Sequence, residues 1–219
     1  MSETEALGLP PEAFAKQDGG SDLDFYAPTR LVTHIDEAAV EALTRHYASR
    51  LKPGDRVLDL MSSWVSHLQP GLDLEVVGHG MNAEELAANP RLGRWFVQDL
   101  NQDAVLPEAD ETFDAVLVCV GVQYLQHPLA VFREIRRVLK PDGVAIASFS
   151  NRCFPTKAVA IWRALDMEGQ AALIRRYLDA AGFVDVAATL LADGRAGDPL
   201  VAVTARTPSL PAAVPQSAE

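Results

Sequence analysis

Ser62, Ser63 and Ser66 lie beside His67, and a serine next to an imidazole is the pairing used for nucleophilic acyl transfer. That chemistry in an α/β chain also calls for a strained G-x-S-x-G turn, which is absent, so the sequence argues against a hydrolase. Asp59 ends the short apolar run Arg56–Leu60. Its carboxylate either organises the loop that follows or faces a cationic ligand. Gln98-Asp99-Leu100 places a second acid after Trp95-Phe96-Val97. Tyr124 follows the apolar run Phe113–Val120, and Asn151 and Arg152 follow Val144–Phe149. Tyr26, Arg30 and His34 precede the first strong helical pattern. Cys119, within an apolar run, reads as a small core residue, and His127 before Pro128 reads as a helix start. No His, Cys, Asp or Glu set has metal-ligand spacing, so no metal is expected.

These residues share a position: each stands where one element gives way to the next. Val40, Leu43 and Tyr47 recur at helical spacing after Asp36, an N-cap type, and predict a helix to Arg50. Arg56–Leu60, Leu74–Gly78, Trp95–Val97, Phe113–Val120 and Val144–Phe149 read as strands, the fourth apolar enough to be buried on both faces. A helix is expected over Ser63–Leu68. Asn82 opens another, with Glu85 completing a capping box. Pro128–Leu139 is a strong amphipathic helix, followed by a turn at Pro141-Asp142-Gly143. One or two helices fill Lys157–Ala181, and Val184–Leu190 with Leu200–Ala205 predict a closing antiparallel pair. Strand–helix alternation of this kind implies an α/β fold with a doubly wound, mostly parallel sheet. Ligands of such sheets bind beyond the carboxyl ends of the strands.

The chain has 219 residues, 48% of them hydrophobic, which suits one domain with a sizeable core. Thirty acids against nineteen bases give a charge of −11. That balance argues against nucleic acid and anionic membrane as partners while leaving room for a local basic site. The acidic N-terminus lacks a secretory pattern, no apolar run is long enough to span a bilayer, and two cysteines fit a reducing cytosol. A cytoplasmic location is therefore expected. Residues 1–22 and 207–219 are expected to be flexible tails, with too little apolar surface to offset ordering entropy. Residues 23–206 then form a single domain, of which 23–50 hold the first helix and a segment that the family resemblance given below implies to be a lid.

Val57-Leu58-Asp59, Phe113-Asp114-Ala115-Val116 and Val131–Gly143 together resemble the class I S-adenosylmethionine-dependent methyltransferases, in their methyltransferase-type 11-like branch with a divergent first motif. The last block resembles the E-x-x-R-V-L-K-P-G-G segment of the small-molecule branch. The resemblance implies a Rossmann-like methyltransferase fold, S-adenosylmethionine as cofactor and a small-molecule acceptor. It places the cofactor against Asp59, Met61, Ser62, Ser63, Gly80, Met81, Asn82, Asp99, Leu100, Cys119 and Val120. Tyr26, Arg30, Trp64, Asn151 and Arg152 are then acceptor-binding candidates, and His67, Tyr124 and His34 are candidate bases. The family's glycine-rich turn after the first strand here carries Met61, Ser63 and Val65 at its glycine positions. Side chains there are expected to keep ordinary backbone angles or point away from the ligand. The family's ribose-binding acid falls on Gly80, leaving Asn82 or His79 to substitute. These departures keep a non-catalytic or regulatory role as the alternative. A nicotinamide oxidoreductase is disfavoured by the missing G-x-G-x-x-G.

Overall fold

The computed structural model of the chain describes residues 3–210. Seven strands, β1 (Arg56–Leu60), β2 (Glu75–Gly80), β3 (Arg94–Val97), β4 (Phe113–Cys119), β5 (Leu139–Ser150), β6 (Val184–Ala192) and β7 (Leu200–Arg206), form one sheet in the order β3-β2-β1-β4-β5-β7-β6. β1 to β5 run parallel; β7 inserts antiparallel between β5 and β6. Among the described residues, seven α-helices accompany the strands: α1 (Glu3–Leu7), α2 (Asp22–Tyr26), α3 (Glu37–Ala48), α4 (Ala83–Ala88), α5 (Pro128–Val138), α6 (Ala160–Ala164) and α7 (Met167–Ala181).

Period-two alternation sorts the strand residues onto two faces. Val57, Ala115, Leu117 and Ile146 pack towards Ala39, Leu43 and Tyr47 of α3. Leu58, Leu60, Val116, Val118 and Ala145 pack on the other face with Phe132 and Ile135 of α5 and Ile174 of α7. Each buried Val, Leu, Ile or Phe among them contributes about 1.5–3 kcal/mol before entropy is charged against it. The strand order reverses between β1 and β4, and at that switch point the carboxyl ends of the strands splay into a crevice.

Three local expectations are corrected. Residues 61–70 contain no helix. Met61 and His67 instead take left-handed backbone angles, φ 59° and 51°. The loop is tied by side chains: Thr44 Oγ1 donates to the His67 carbonyl at 2.9 Å, and Asn89 Nδ2 donates to the Ser63 carbonyl and Ser66 Oγ, each at 2.9 Å. Pro141-Asp142-Gly143 is not a separate turn but part of β5, where the register against β4 shifts.

The third correction concerns the N-terminal segment, which is packed from residue 3 onward. Leu7 and Phe14 join the core beside Tyr177 of α7. The Ala160 N–H donates to the Ala15 carbonyl at 2.9 Å, and the Asp18 N–H donates to the Thr156 carbonyl at 2.9 Å. Lys157, 1% exposed, stands 3.1 Å from both Asp18 and Asp22, and Lys16 pairs with Asp22 as well. Apolar anchors spaced along a polar segment dock it together with these hydrogen bonds and ion pairs. Thr207, at the other end, is buried and donates to the Lys140 carbonyl at 2.5 Å; residues 211–219 of the expected C-terminal tail lie outside the described residues.

Candidate active site

A cavity of about 320 Å³ opens at the carboxyl ends of β1 to β5. Its floor on the β1 side is Met61, Ser62 and Ser63; on the β2 side it is His79, Gly80, Met81 and Asn82, with Glu85 from α4. Leu100 and Asn101 enter after β3, and Cys119, Val120, Gly121, Tyr124 and Leu125 after β4. Arg152, Cys153 and Phe154 follow β5, and Tyr26, Arg30, Thr33 and His34 close the top from the N-terminal segment.

His79 organises the β1 end of this cavity. Its Nδ1 accepts the Met61 N–H at 3.1 Å, and its Nε2 lies 2.9 Å from the Gln98 carbonyl. A carbonyl only accepts and an amide N–H only donates, so the imidazole is neutral with its proton on Nε2. Burial pushes its pKa down to about 4, although the hydrogen bond to Gln98 works the other way. The His79 carbonyl also accepts the Ser62 N–H at 2.6 Å. One residue thereby joins the loops after β1 and β3 to the end of β2. The N–H groups of Met61 and Ser62 are both used inside the protein.

Of the two alternatives expected for side chains in this turn, ordinary backbone angles fail at Met61, which takes φ 59° in the region that favours glycine. A non-glycine residue there costs on the order of 1–2 kcal/mol, which the hydrogen bond to His79 offsets in part. The room the family finds inside its turn is found here on the facing strands. A Cβ on Gly121 would stand 2.9 Å from both Cβ and Sδ of Met61, and a Cβ on Gly80 would collide with the Ser62 carbonyl oxygen. The glycines have changed sides of the contact. Met61 leans on Gly121, and the cavity stays open.

The same packing explains the missing acid. No side chain fits at Gly80, so a carboxylate must reach the cavity from elsewhere, and Glu85 supplies it. Its Oε2 accepts from Ser63 Oγ at 2.6 Å and its Oε1 accepts the Arg30 N–H at 2.7 Å. The capping box is thus half realised: Asn82 Oδ1 accepts the N–H groups of Glu84 and Glu85 at 3.0 Å, but Glu85 turns to the cavity. Asn82 is not a free ribose ligand, because its Nδ2 donates to the Tyr26 and Ala27 carbonyls.

The other side of the cavity is aromatic. The Phe154 ring lies 6.1 Å from both Tyr26 and Tyr124, 5.3 Å from Phe25 and 5.7 Å from His34. Arg30 stacks 5.1 Å over Phe25 and 5.8 Å over Phe154. The Tyr124 hydroxyl accepts the Phe154 N–H at 2.9 Å, and burial pushes its pKa up to about 12. A phenol held this way keeps its proton near neutral pH, and the Tyr124 ring forms part of the cavity wall. His34 has its pKa lowered by burial and is a neutral imidazole on the cavity surface.

Five expected site residues stand outside the cavity lining. Asp59 is buried beneath it, its Oδ2 accepting from Ser62 Oγ at 2.6 Å; burial lifts its pKa to about 6 against the hydrogen bonds of Ser62 and Ser66. Asp99 accepts the Asn101 N–H on Oδ1 at 2.9 Å, which shapes the loop after β3. His67 lies behind His34, its pKa lowered to about 4 by burial and by His34. Trp64 Nε1 donates to the Val32 carbonyl at 2.9 Å and pins the N-terminal segment. Asn151 is exposed and accepts from Ser150 Oγ at 3.2 Å. Arg152 does line the cavity, with Nε 2.8 Å from Asp198. Thr33, Glu85, Asn101, Gly121, Leu125, Cys153 and Phe154 were not expected. Glu85 was legible only as a capping residue, and its distance from the strand end, one helical turn, was the available clue.

Among the described residues, no group of three or more His, Cys, Asp and Glu side chains is placed to hold a metal, and no helix is long and apolar enough to cross a membrane. Residues 64–147 match the family described as a methyltransferase domain. A demethylmenaquinone methyltransferase of Corynebacterium urealyticum is 36% identical over 121 residues, 48% of this chain and 46% of that protein. The chain spans about half the length of the curated relatives it matches. The complex between the Haloferax volcanii Trm112 methyltransferase activator and the putative methyltransferase contains a chain that superposes with a TM-score of 0.60 at 18% identity, covering 78% of this chain and 91% of that one. A Haemonchus contortus phosphoethanolamine N-methyltransferase 2 in complex with S-adenosyl-L-methionine gives 0.57 at 14% identity, covering 77% and 52%. These two likenesses concern the fold.

Proposed function

We propose that this chain, a class I S-adenosylmethionine-dependent methyltransferase by family match and by fold, methylates a small acceptor held against the aromatic side of its cavity. The observation that carries the reading is the cavity's division: a Glu85 carboxylate towards β2, and the rings of Tyr26, Tyr124 and Phe154 towards β5.

The residues fit the cofactor. Each carboxylate oxygen of Glu85 accepts one hydrogen bond, from Ser63 or from the Arg30 N–H, and keeps a second lone pair, so the pair retains acceptor capacity for a ribose diol. Met81 and Leu100 offer apolar flanks for a purine. Bound S-adenosylmethionine supplies a methyl group on a positive sulfur, an electrophile already activated. What the protein must add is alignment and exclusion of water. Segment 26–34 closes the cavity from above, and the aromatic wall turns a flat acceptor edge-on or face-on to it. His34, neutral and on the acceptor side, is placed to take a proton from an acceptor hydroxyl or amine.

The relatives named as demethylmenaquinone methyltransferases support a small, ring-bearing acceptor. Calorimetric titration with S-adenosylmethionine and S-adenosylhomocysteine tests the reading. Micromolar binding is expected. No heat at millimolar ligand removes the catalytic role and leaves a regulatory protein on the same fold.

A further inference from the structure

The cavity is electrically lopsided in a chain of net charge −11. Its carboxylate, Glu85, faces the β1–β2 side, where it is occupied by Ser63 and the Arg30 backbone. Its two guanidinium groups, Arg30 and Arg152, belong to the β5 side. Arg152 is matched by Asp198. Arg30 is not matched: among the described residues no carboxylate stands within ion-pair distance of it, and its side chain makes one hydrogen bond, to the Phe25 carbonyl at 2.9 Å. A guanidinium has five N–H donors in a planar fork suited to a carboxylate. Its position over Phe25 and Phe154 fixes the fork beside a wall of rings.

We infer that the acceptor is a planar aromatic carboxylate, with its anion on the Arg30 fork and its ring against Phe154 and Tyr26. The inference rests on the methyltransferase reading and specifies the acceptor class. An uncharged ring would be served by the aromatic wall alone, and Arg30 would then have only the cofactor's own amino-acid carboxylate as a counter-charge within the cavity. Arg30 therefore selects for acids, and Arg152, exposed and partly free, adds to the attraction at longer range.

The test uses 2-naphthoate and its uncharged isostere 2-naphthamide, titrated calorimetrically into the full chain with and without S-adenosylhomocysteine. Naphthoate is expected to bind about tenfold or more tighter than the amide, the ratio that a charge-assisted hydrogen bond brings. Arg30→Gln keeps the backbone N–H that Glu85 accepts, so the fold is retained, which thermal unfolding checks. It is expected to abolish the preference for the acid, and Arg30→Lys to restore part of it. Equal binding of acid and amide overturns the inference. So does an Arg30→Gln variant that loses affinity for S-adenosylhomocysteine but not for 5′-methylthioadenosine, because the guanidinium would then serve the amino-acid carboxylate of the nucleoside. Failure of the methyltransferase reading shows separately, as wild-type protein that binds neither nucleoside, whatever the naphthoate result.

Discussion

Gly80 faces the carbonyl oxygen of Ser62 so closely that a single added Cβ would strike it. The end of β2 and the loop after β1 are in backbone contact there, fixed by the Ser62 N–H on the His79 carbonyl. Gly80→Ala is expected to destabilise the fold by about 1–3 kcal/mol through overpacking and to weaken nucleoside binding. Gly80→Asp, which restores the family's acid, is expected to be worse than alanine. Urea unfolding and calorimetry measure both, and an aspartate variant that binds more tightly than wild type contradicts this account.

Glu85 carries the carboxylate that position 80 cannot. Glu85→Gln keeps size and shape but gives up the charge received by Ser63 and the Arg30 N–H. Affinity for S-adenosylhomocysteine is expected to fall about 10- to 100-fold, the loss of a charge-assisted pair, while affinity for adenine alone stays near wild type. Competition binding with the two ligands gives the ratio. An equal loss for both assigns Glu85 to loop structure rather than to the diol.

Met61 and Gly121 are expected to be thermodynamically coupled. Gly121→Ala places a methyl 2.9 Å from the Met61 side chain and forces the loop after β1 to move. Met61→Gly removes that obstacle and suits the φ 59° backbone. In a double-mutant cycle the second change is expected to recover about 1–2 kcal/mol of what the first removes. Additive effects would show that the two residues do not share one space.

Acid weakens the fold through its histidines. Burial lowers the pKa of His46, His67 and His79 to about 4, from an ordinary value of 6.5. Between those values the unfolded chain takes up protons that the folded chain refuses, so their contribution is present above pH 6.5 and is lost as pH falls towards 4. Asp59, raised by burial from 3.8 to about 6, has the opposite sign: it favours the folded state below 3.8 and loses that effect as pH rises through 6. Three protons oppose one, and stability is expected to drop by up to about 3 kcal/mol per pH unit near pH 5. Denaturation midpoints from pH 7.5 to 4.5 follow it; a midpoint that rises on acidification contradicts the burial of these rings.

Lys157 is held among Asp18, Asp22 and the Gly20 carbonyl with almost no exposure. Lys157→Met leaves Asp22 buried with only Lys16 to balance it, at a cost of about 3–5 kcal/mol. The segment above the cavity is expected to loosen first, which limited proteolysis near residues 16–30 detects. Replacement without change in cleavage or stability would mean that the segment is held by its apolar anchors alone.

The sheet was legible because periodicity and strand-end acids do not depend on distant contacts: Phe113–Cys119 reads as doubly buried from its side chains alone. The helix predicted after β1 was not found, since Thr44, Asn89 and His79 claim that loop's backbone from elsewhere in the chain. Met61, Ser62 and Met81 could be placed at the cavity from the family resemblance, and Tyr26 from the lid that the resemblance implies. Asp59 and Asp99 stand one residue or more behind it, because alternation along a strand decides which side a carboxylate faces and loops break that alternation. Glu85 and Phe154 were hidden for a related reason: each reaches the cavity from an element that leaves it, a helix start and a loop after β5.

The pairing of Lys157 with residues up to 139 positions earlier also bears on how the chain is made. On the ribosome, Asp18 and Asp22 emerge long before their counter-charge, and Phe14 before the helix that shelters it. Residues 14–22 thus precede in synthesis the partners that seat them, and a growing chain must carry this segment unseated until β5 and the helices after it have been translated. A nascent protein arrested before that point would expose the segment to chaperones or proteases, whatever the quality of the sheet already formed.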